Sequence, residues 1–205
     1  MSACGEDRLL DVAELGTEGE SAVPELIETL GDDDWKIRRE AALALANIGE
    51  PAKAAVPELI TALGDENEDV RYYAAFALGE IGEAAAVADL VKTLNDENSF
   101  VRGSAVAALG QIGPAATDSV PVLIQLLSDE DKAIRSSAAE ALGKIGVPVE
   151  DIVPALIETL DDEDGTVGDK AAEMLKQIGT PEAVEAAENY EENKEDHDDH
   201  DHEHD

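Results

Sequence analysis

The dipeptide Ile-Gly returns through this chain at Ile48-Gly49, Ile81-Gly82, Ile112-Gly113, Ile145-Gly146 and Ile178-Gly179. The intervals are 33, 31, 33 and 33 residues. Pro24, Pro57, Pro121 and Pro154 each stand 24 residues before their Ile, with Ala88 in that slot of the third copy. Length variation is therefore confined to the loop between copies, where insertions cost little. Internal self-similarity at this period means stacked copies of one small unit. Five full repeats follow, at residues 21–49, 54–82, 85–113, 118–146 and 151–179.

Each repeat reads as two helices joined by an acidic turn. Val-Pro puts proline in a first helical turn, where its missing donor costs nothing, and Leu59-Ile60-x-x-Leu63 gives an apolar stripe at helical period. The turns are Asp32-Asp33-Asp34, Asp65-Glu66-Asn67, Asp96-Glu97-Asn98, Asp129-Glu130-Asp131 and Asp162-Glu163-Asp164. Their third residue, always Asp or Asn, is a favoured N-cap for the second helix. That helix repeats the spacing of Val70, Ala74, Ala77, Leu78 and Ile81 before a closing glycine. Neither helix can bury its stripe alone, so neighbouring pairs must stack.

Composition agrees with an all-α fold, since Ala and Leu dominate and aromatics are 3%. Fourteen Lys and Arg against 49 Asp and Glu leave a net charge of −35, a field that repels phosphate backbones and anionic membranes. Nucleic acid and membrane are thereby excluded as expected partners. Because carboxylates occupy every segment, we read them as an adaptation to concentrated salt, as in a halophile, in preference to a patch selected for a basic partner. The lone Cys4 can form no internal disulfide, and the opening residues lack a secretory pattern. No window approaches a membrane span. The expected location is the cytoplasm.

The residues L-x-D, then a hydrophobic residue with Arg, then A-x-x-A-L-G-x-I-G resemble the short HEAT repeat of the phycobilisome-lyase-like class. No T-P-L-H-x-A of ankyrin repeats occurs, and the Trp/Gly/Tyr pattern of tetratricopeptides is missing. The resemblance spans about nine-tenths of the chain. It implies a right-handed α-solenoid of about five helix pairs, with second helices on the concave side. It also implies a ladder pairing Asp32 with Arg38, Asp65 with Arg71, Asp96 with Arg102 and Asp129 with Arg135. The constant six-residue interval agrees with charge-assisted bonds from turn to helix. Repeat five departs, with Gly168 in the Arg slot and Gly165 nearby, which predicts a weaker helix.

The ends fit the same frame. Residues 7–16 read as the second helix of a truncated unit, and residues 180–190 as an unfinished first helix, so the solenoid would occupy residues 6–190. Residues 1–5 and the tail, residues 191–205, should be disordered; the tail sequence EENKEDHDDHDHEHD has no apolar residue.

Subtracting the shared positions exposes the candidates for function. Slots 12, 9, 8, 5 and 1 residues before each Ile vary freely and lie on one helical face. Trp35, Tyr72, Tyr73, Phe76 and Phe100, five of the six aromatic residues, lie in the second helices of the first three repeats. With Lys36, Arg39 and Leu43 they compose an expected partner-binding patch, since aromatics and Arg anchor interfaces. The competing reading is that Phe76 and Phe100 only fill gaps between repeats.

Other chemistry finds less support. The acidic turns lack the glycine and spaced ligands of a calcium loop, so capping and solvation are expected of them. His197, His200, His202 and His204 could hold a divalent transition metal loosely, although a solvated tail is the simpler expectation. No cofactor is otherwise implied. A deoxyhypusine-hydroxylase-like iron site would need His-Glu pairs on repeat helices, whereas the only His-Glu here is His202-Glu203. No nucleophile elbow, phosphate loop or CxxC occurs. The function expected from sequence is a non-catalytic scaffold that binds another protein. The alternatives are a bilin-lyase-like enzyme or accessory subunit that handles a tetrapyrrole, and metal buffering by the tail.

Overall fold

A computed structural model describes residues 5–146, 149–162 and 165–200. Among the described residues the chain is helical with no strand. It divides into two compact units, Met1–Ser119 and Val120–Asp205.

In the first unit, α1 (Gly5–Leu15), α3 (Trp35–Ile48), α5 (Glu68–Ile81) and α7 (Ser99–Ile112) form one layer. Each packs on the next. The shorter α2 (Val23–Thr29), α4 (Val56–Ala62) and α6 (Val87–Thr93) pack behind α3, α5 and α7 respectively. Leu26, Ile37, Leu45, Leu59, Leu78, Leu90 and Leu109 are fully buried between the layers. Truncating any one of them would cost about 2–5 kcal/mol. At Gly79 the helices approach so closely that a Cβ would stand 2.8 Å from the Ala108 backbone.

The second unit repeats the scheme. Here α8 (Val120–Gln125) and α10 (Val149–Thr159) back α9 (Lys132–Ile145) and α11 (Gly165–Ile178), and α12 (Pro181–His200) packs on α11. Pro24 and Pro57 sit at helix starts as expected, but Pro154 lies inside α10, which begins five residues before it. The tail also differs from expectation. Helix α12 runs past Tyr190 to His200; Glu191, Glu192, Lys194 and Glu195 favour helix, and Lys176 of α11 pairs with Glu191. Residues 1–4, with Cys4, lie outside the described residues.

The four turns that are fully described share one wiring. The third residue caps the second helix: Asp34 accepts from the Lys36 N–H, Asn67 from Asp69 and Val70, Asn98 from Phe100 and Val101, and Asp131 from Ala133. The first residue accepts from the N–H of the third, at 2.9 Å in Asp32, Asp65, Asp96 and Asp129 alike. These bonds fold the turn on itself.

The Arg ladder exists, but its pairing is shifted. Arg38 donates through Nη1 to the backbone carbonyls of Asp32 and Asp33 in its own turn. Its Nε and Nη2 go to the two carboxylate oxygens of Asp65 in the next repeat, at 2.7 and 2.8 Å. Arg71 does the same with the carbonyls of Asp65 and Glu66 and the carboxylate of Asp96. In the second unit Arg135 holds the Asp129 and Glu130 carbonyls and pairs with the Asp162 carboxylate. Arg102 binds the carbonyls of Asp96 and Glu97. The expected in-repeat carboxylate pairs Asp32–Arg38 and Asp65–Arg71 are thus replaced by pairs between repeats. The inner Nη1 is committed to the carbonyls of its own turn, so the outer edge of the guanidinium faces the neighbour.

Ionisation follows from this wiring. Burial pushes Asp65 and Asp96 up, but the Arg38 and Arg71 guanidiniums, the turn N–H groups and the nearby charges outweigh it. Both carboxyls end below their ordinary value. Arg38 and Arg71 are raised, chiefly by the bonds to Asp65 and Asp96.

Two residues outside the sequence pattern complete the wiring. Arg8 of α1 pairs with Asp32, standing one turn beyond Gly5, which occupies the Arg slot. At repeat five the absent Arg is replaced by Tyr190, whose hydroxyl bonds the Gly165 carbonyl and Asp169 at 3.2 Å. A Cβ on Gly168 would stand 2.6 Å from that hydroxyl. Gly168 is therefore a fitted position beside Tyr190, where the sequence suggested only a weakened helix.

Candidate functional site

The open face of α3, α5 and α7 carries the slots that the sequence left variable. Beneath it the framework residues Ala41, Leu45, Ala74, Leu78, Ala105 and Leu109 have no exposure. On the face itself Lys36 and Asn47 of α3, Asp69 and Glu80 of α5, and Phe100, Ala107 and Gln111 of α7 are exposed. Trp35, Arg39, Leu43, Tyr72, Tyr73, Phe76 and Gly103 are half-buried. Ser104 departs from the expected stripe. It is buried and donates its hydroxyl to the Tyr72 carbonyl at 3.0 Å, fastening α7 to α5.

The patch residues fall into clusters. At the start of α3, Lys36 Nζ lies 5.8 Å and Arg39 Cζ 5.9 Å from the Trp35 ring centre, so both cations rest on the indole. Arg39 also meets Glu40 at 3.3 Å. On α5 the Tyr72 and Tyr73 rings stand edge to face, 5.0 Å apart at 85°. Phe76 follows at i+3 and i+4, on the same side of the helix. Phe100, at the first turn of α7, is 76% exposed, so it does not fill a gap between repeats.

Among the described residues no group of three or more His, Cys, Asp or Glu is arranged to hold a metal ion. In the four described turns the first residue spends its carboxylate on the turn N–H, and in Asp32, Asp65 and Asp96 also on Arg, while the third residue is spent on the cap. His197 and His200 fall in the last turns of α12, and His202 and His204 lie outside the described residues. No helix among the described residues is long and apolar enough to cross a membrane.

Comparison with known proteins gives the same architecture. No curated protein matches the chain. Among solved structures, the CpcE–CpcF complex of phycocyanin lyase from Nostoc sp. PCC7120 is similar, with 26% identity and a TM-score of 0.64. The match covers 91% of this chain and 76% of that one. An engineered protein matches at 26% identity and a TM-score of 0.60, over 88% of each chain. The archaeal HEAT-like repeats protein from Thermococcus onnurineus NA1 shares the fold, with 19% identity, a TM-score of 0.61, and 89% and 90% coverage. The model of HEAT repeats matches residues 8–56, 56–123 and 120–198, and this all-helical chain belongs to the HEAT repeat family.

Proposed function

We propose that this protein is a non-catalytic scaffold that binds another protein through the open face of α3, α5 and α7. The observation that supports it is the set of apolar rings left on that face. Phe100 is 76% exposed and Tyr72, Tyr73 and Phe76 are half-buried, although the framework beneath them is sealed. Exposed aromatics clustered beside Arg are the usual anchors of interfaces. Repeat stacks offer such surface without chemistry.

The test is affinity capture from native lysate at high salt, with the wild type against a Tyr72→Ala, Tyr73→Ala, Phe76→Ala variant. One stoichiometric partner captured by the wild type and lost by the variant supports the reading. Equal capture by both overturns it. Helicity should be unchanged, since the three side chains lie outside the buried layer.

A second reading is favoured by the likeness to a phycocyanin lyase. The same rings would hold a tetrapyrrole, with Lys36 and Arg39 beside its carboxylates. A coloured adduct on incubation with a bilin and an acceptor protein would support it. The His-rich tail is a separate proposal, as a loose buffer of divalent metal. Calorimetry with Zn²⁺ on a chain ending at Tyr190 tests it, and undiminished uptake would acquit the tail.

A further inference from the structure

We propose that Tyr72, Tyr73 and Phe76 form a cage for an alkylated ammonium group. This rests on the reading of α3, α5 and α7 as the binding face and names the chemistry at its centre. The Tyr rings are perpendicular at 5.0 Å and make two walls that meet at a right angle. Phe76 lies one turn on, on the same helix face, and is assigned the third side of the cage by that register. All three rings are half-buried, so each keeps an accessible surface. In the corresponding slots of the neighbouring α7 stand the small residues Gly103, half-buried, and Ala107, exposed. The Ser104 bond to the Tyr72 carbonyl holds the two helices in register there.

Charge selects a cation for this space. Asp69 and Glu80 are exposed on the same face of α5, three residues before Tyr72 and four after Phe76. The chain as a whole carries −35. Trp35 shows that rings on this face accept cations, but its partners are the chain's own Lys36 and Arg39. Among the described residues none of the chain's cations lies over Tyr72 or Tyr73.

Hydration selects the alkylated form. A primary ammonium or a K⁺ ion is strongly hydrated and gains little from a half-exposed ring. An alkylated ammonium sheds water cheaply and presents methyl groups to the π faces. The head group could belong to a free quaternary amine or to an alkylated lysine on a protein.

The test is tetramethylammonium chloride titrated into the intact chain in constant 2 M KCl, followed by the aromatic NMR resonances. The high KCl suppresses binding to the diffuse field. Saturable shifts at Tyr72, Tyr73 and Phe76 are expected, at least tenfold stronger than those from the neutral isostere tert-butanol. Tyr73→Leu keeps the apolar bulk and should abolish the Phe76 response. Linear shifts, an equal response to tert-butanol, or a response retained in Tyr73→Leu would overturn the cage. If that variant fails to fold, the comparison of the two probes on the wild type decides alone.

Two further arms identify the source. A peptide carrying trimethyl-lysine that binds tenfold tighter than both its unmodified form and tetramethylammonium assigns a protein-borne group. Equal binding of that peptide and tetramethylammonium assigns a free amine. Failure of these titrations while the triple Ala variant still loses its captured partner would remove the cage and leave the binding face standing.

Discussion

Arg71 grips both oxygens of Asp96, 25 residues further on, at 2.8 and 2.9 Å while its third nitrogen holds the carbonyls of its own turn. One side chain thus closes its own repeat and fastens the next. Both partners are nearly buried, with side chains 10% and 11% exposed, so the pair acts where water screens it poorly. Nearest-neighbour coupling is what makes a stack of small repeats cooperative.

Removing this link should cost more than its surface neighbour. Arg71→Ala leaves the Asp96 carboxylate buried without its partner and should destabilise the fold by about 3 kcal/mol. Glu97 also approaches Arg71, at 3.9 Å, but its side chain is 92% exposed. Glu97→Gln should change stability by less than about 0.5 kcal/mol. Urea unfolding of the two variants checks the contrast, and equal effects would contradict a ladder that works through burial.

Acid should release the same links. Asp65 and Asp96 titrate below their ordinary value in the folded state: burial raises them, but the bonds from Arg38 and Arg71, the turn N–H groups and the nearby Arg charges together outweigh it. Their contribution is fully present above the unfolded carboxyl value of about 3.9 and is lost as pH falls through the depressed folded value. The stability gap between wild type and an Asp65→Asn, Asp96→Asn variant should be constant from pH 7 to 5 and narrow below about pH 4. Urea midpoints measured across that range decide it.

Gly168 and Tyr190 should behave as a coupled pair. Gly168→Ala forces the Tyr190 hydroxyl out of a position 2.6 Å from the new Cβ, and Leu160's carbonyl lies 2.9 Å away. The expected cost is about 1–3 kcal/mol. Tyr190→Phe alone should cost about 1 kcal/mol through its lost hydrogen bonds. In a double-mutant cycle with Tyr190→Ala the two effects should be non-additive, and simple additivity would uncouple them.

Salt should stabilise the molecule despite its ion pairs. A charge of −35 repels itself in the compact state, and screening shortens from about 10 Å at 0.1 M to about 3 Å at 1 M. The melting temperature should rise by several degrees between 0.1 and 2 M KCl. The penalty of Arg71→Ala should persist over that range, since the pair is buried. A melting temperature that falls with KCl would mean that attractive pairs dominate the field.

Repeat length, helix pairs, caps and core were legible in the sequence because each rests on local chemistry. The third residue of each described turn caps its helix as its type demands, and the apolar offsets of α3, α5 and α7 bury the residues they mark except Ile48, which is half-buried. The variable slots were legible by the same subtraction, and on α3, α5 and α7 all of them except Ser104 keep exposed surface. Pairing between elements was not legible. Asp32 and Arg38 stand six residues apart in the right types, yet the carboxylate bonds run from Arg38 to Asp65, since only the stacked neighbour presents an acceptor to the outer edge of the guanidinium. Arg8 and Tyr190 carry no periodic mark, because Arg8 stands one turn beyond the Arg slot of its own helix and Tyr190 reaches repeat five from the next helix. Ser104 looked like an open slot and is buried against Tyr72 by the close approach of α5 and α7. The Ile-Gly period alone determined what each repeat is; the stacked structure decided which residues join one repeat to another, because those contacts depend on distances through space that spacing along the chain does not encode.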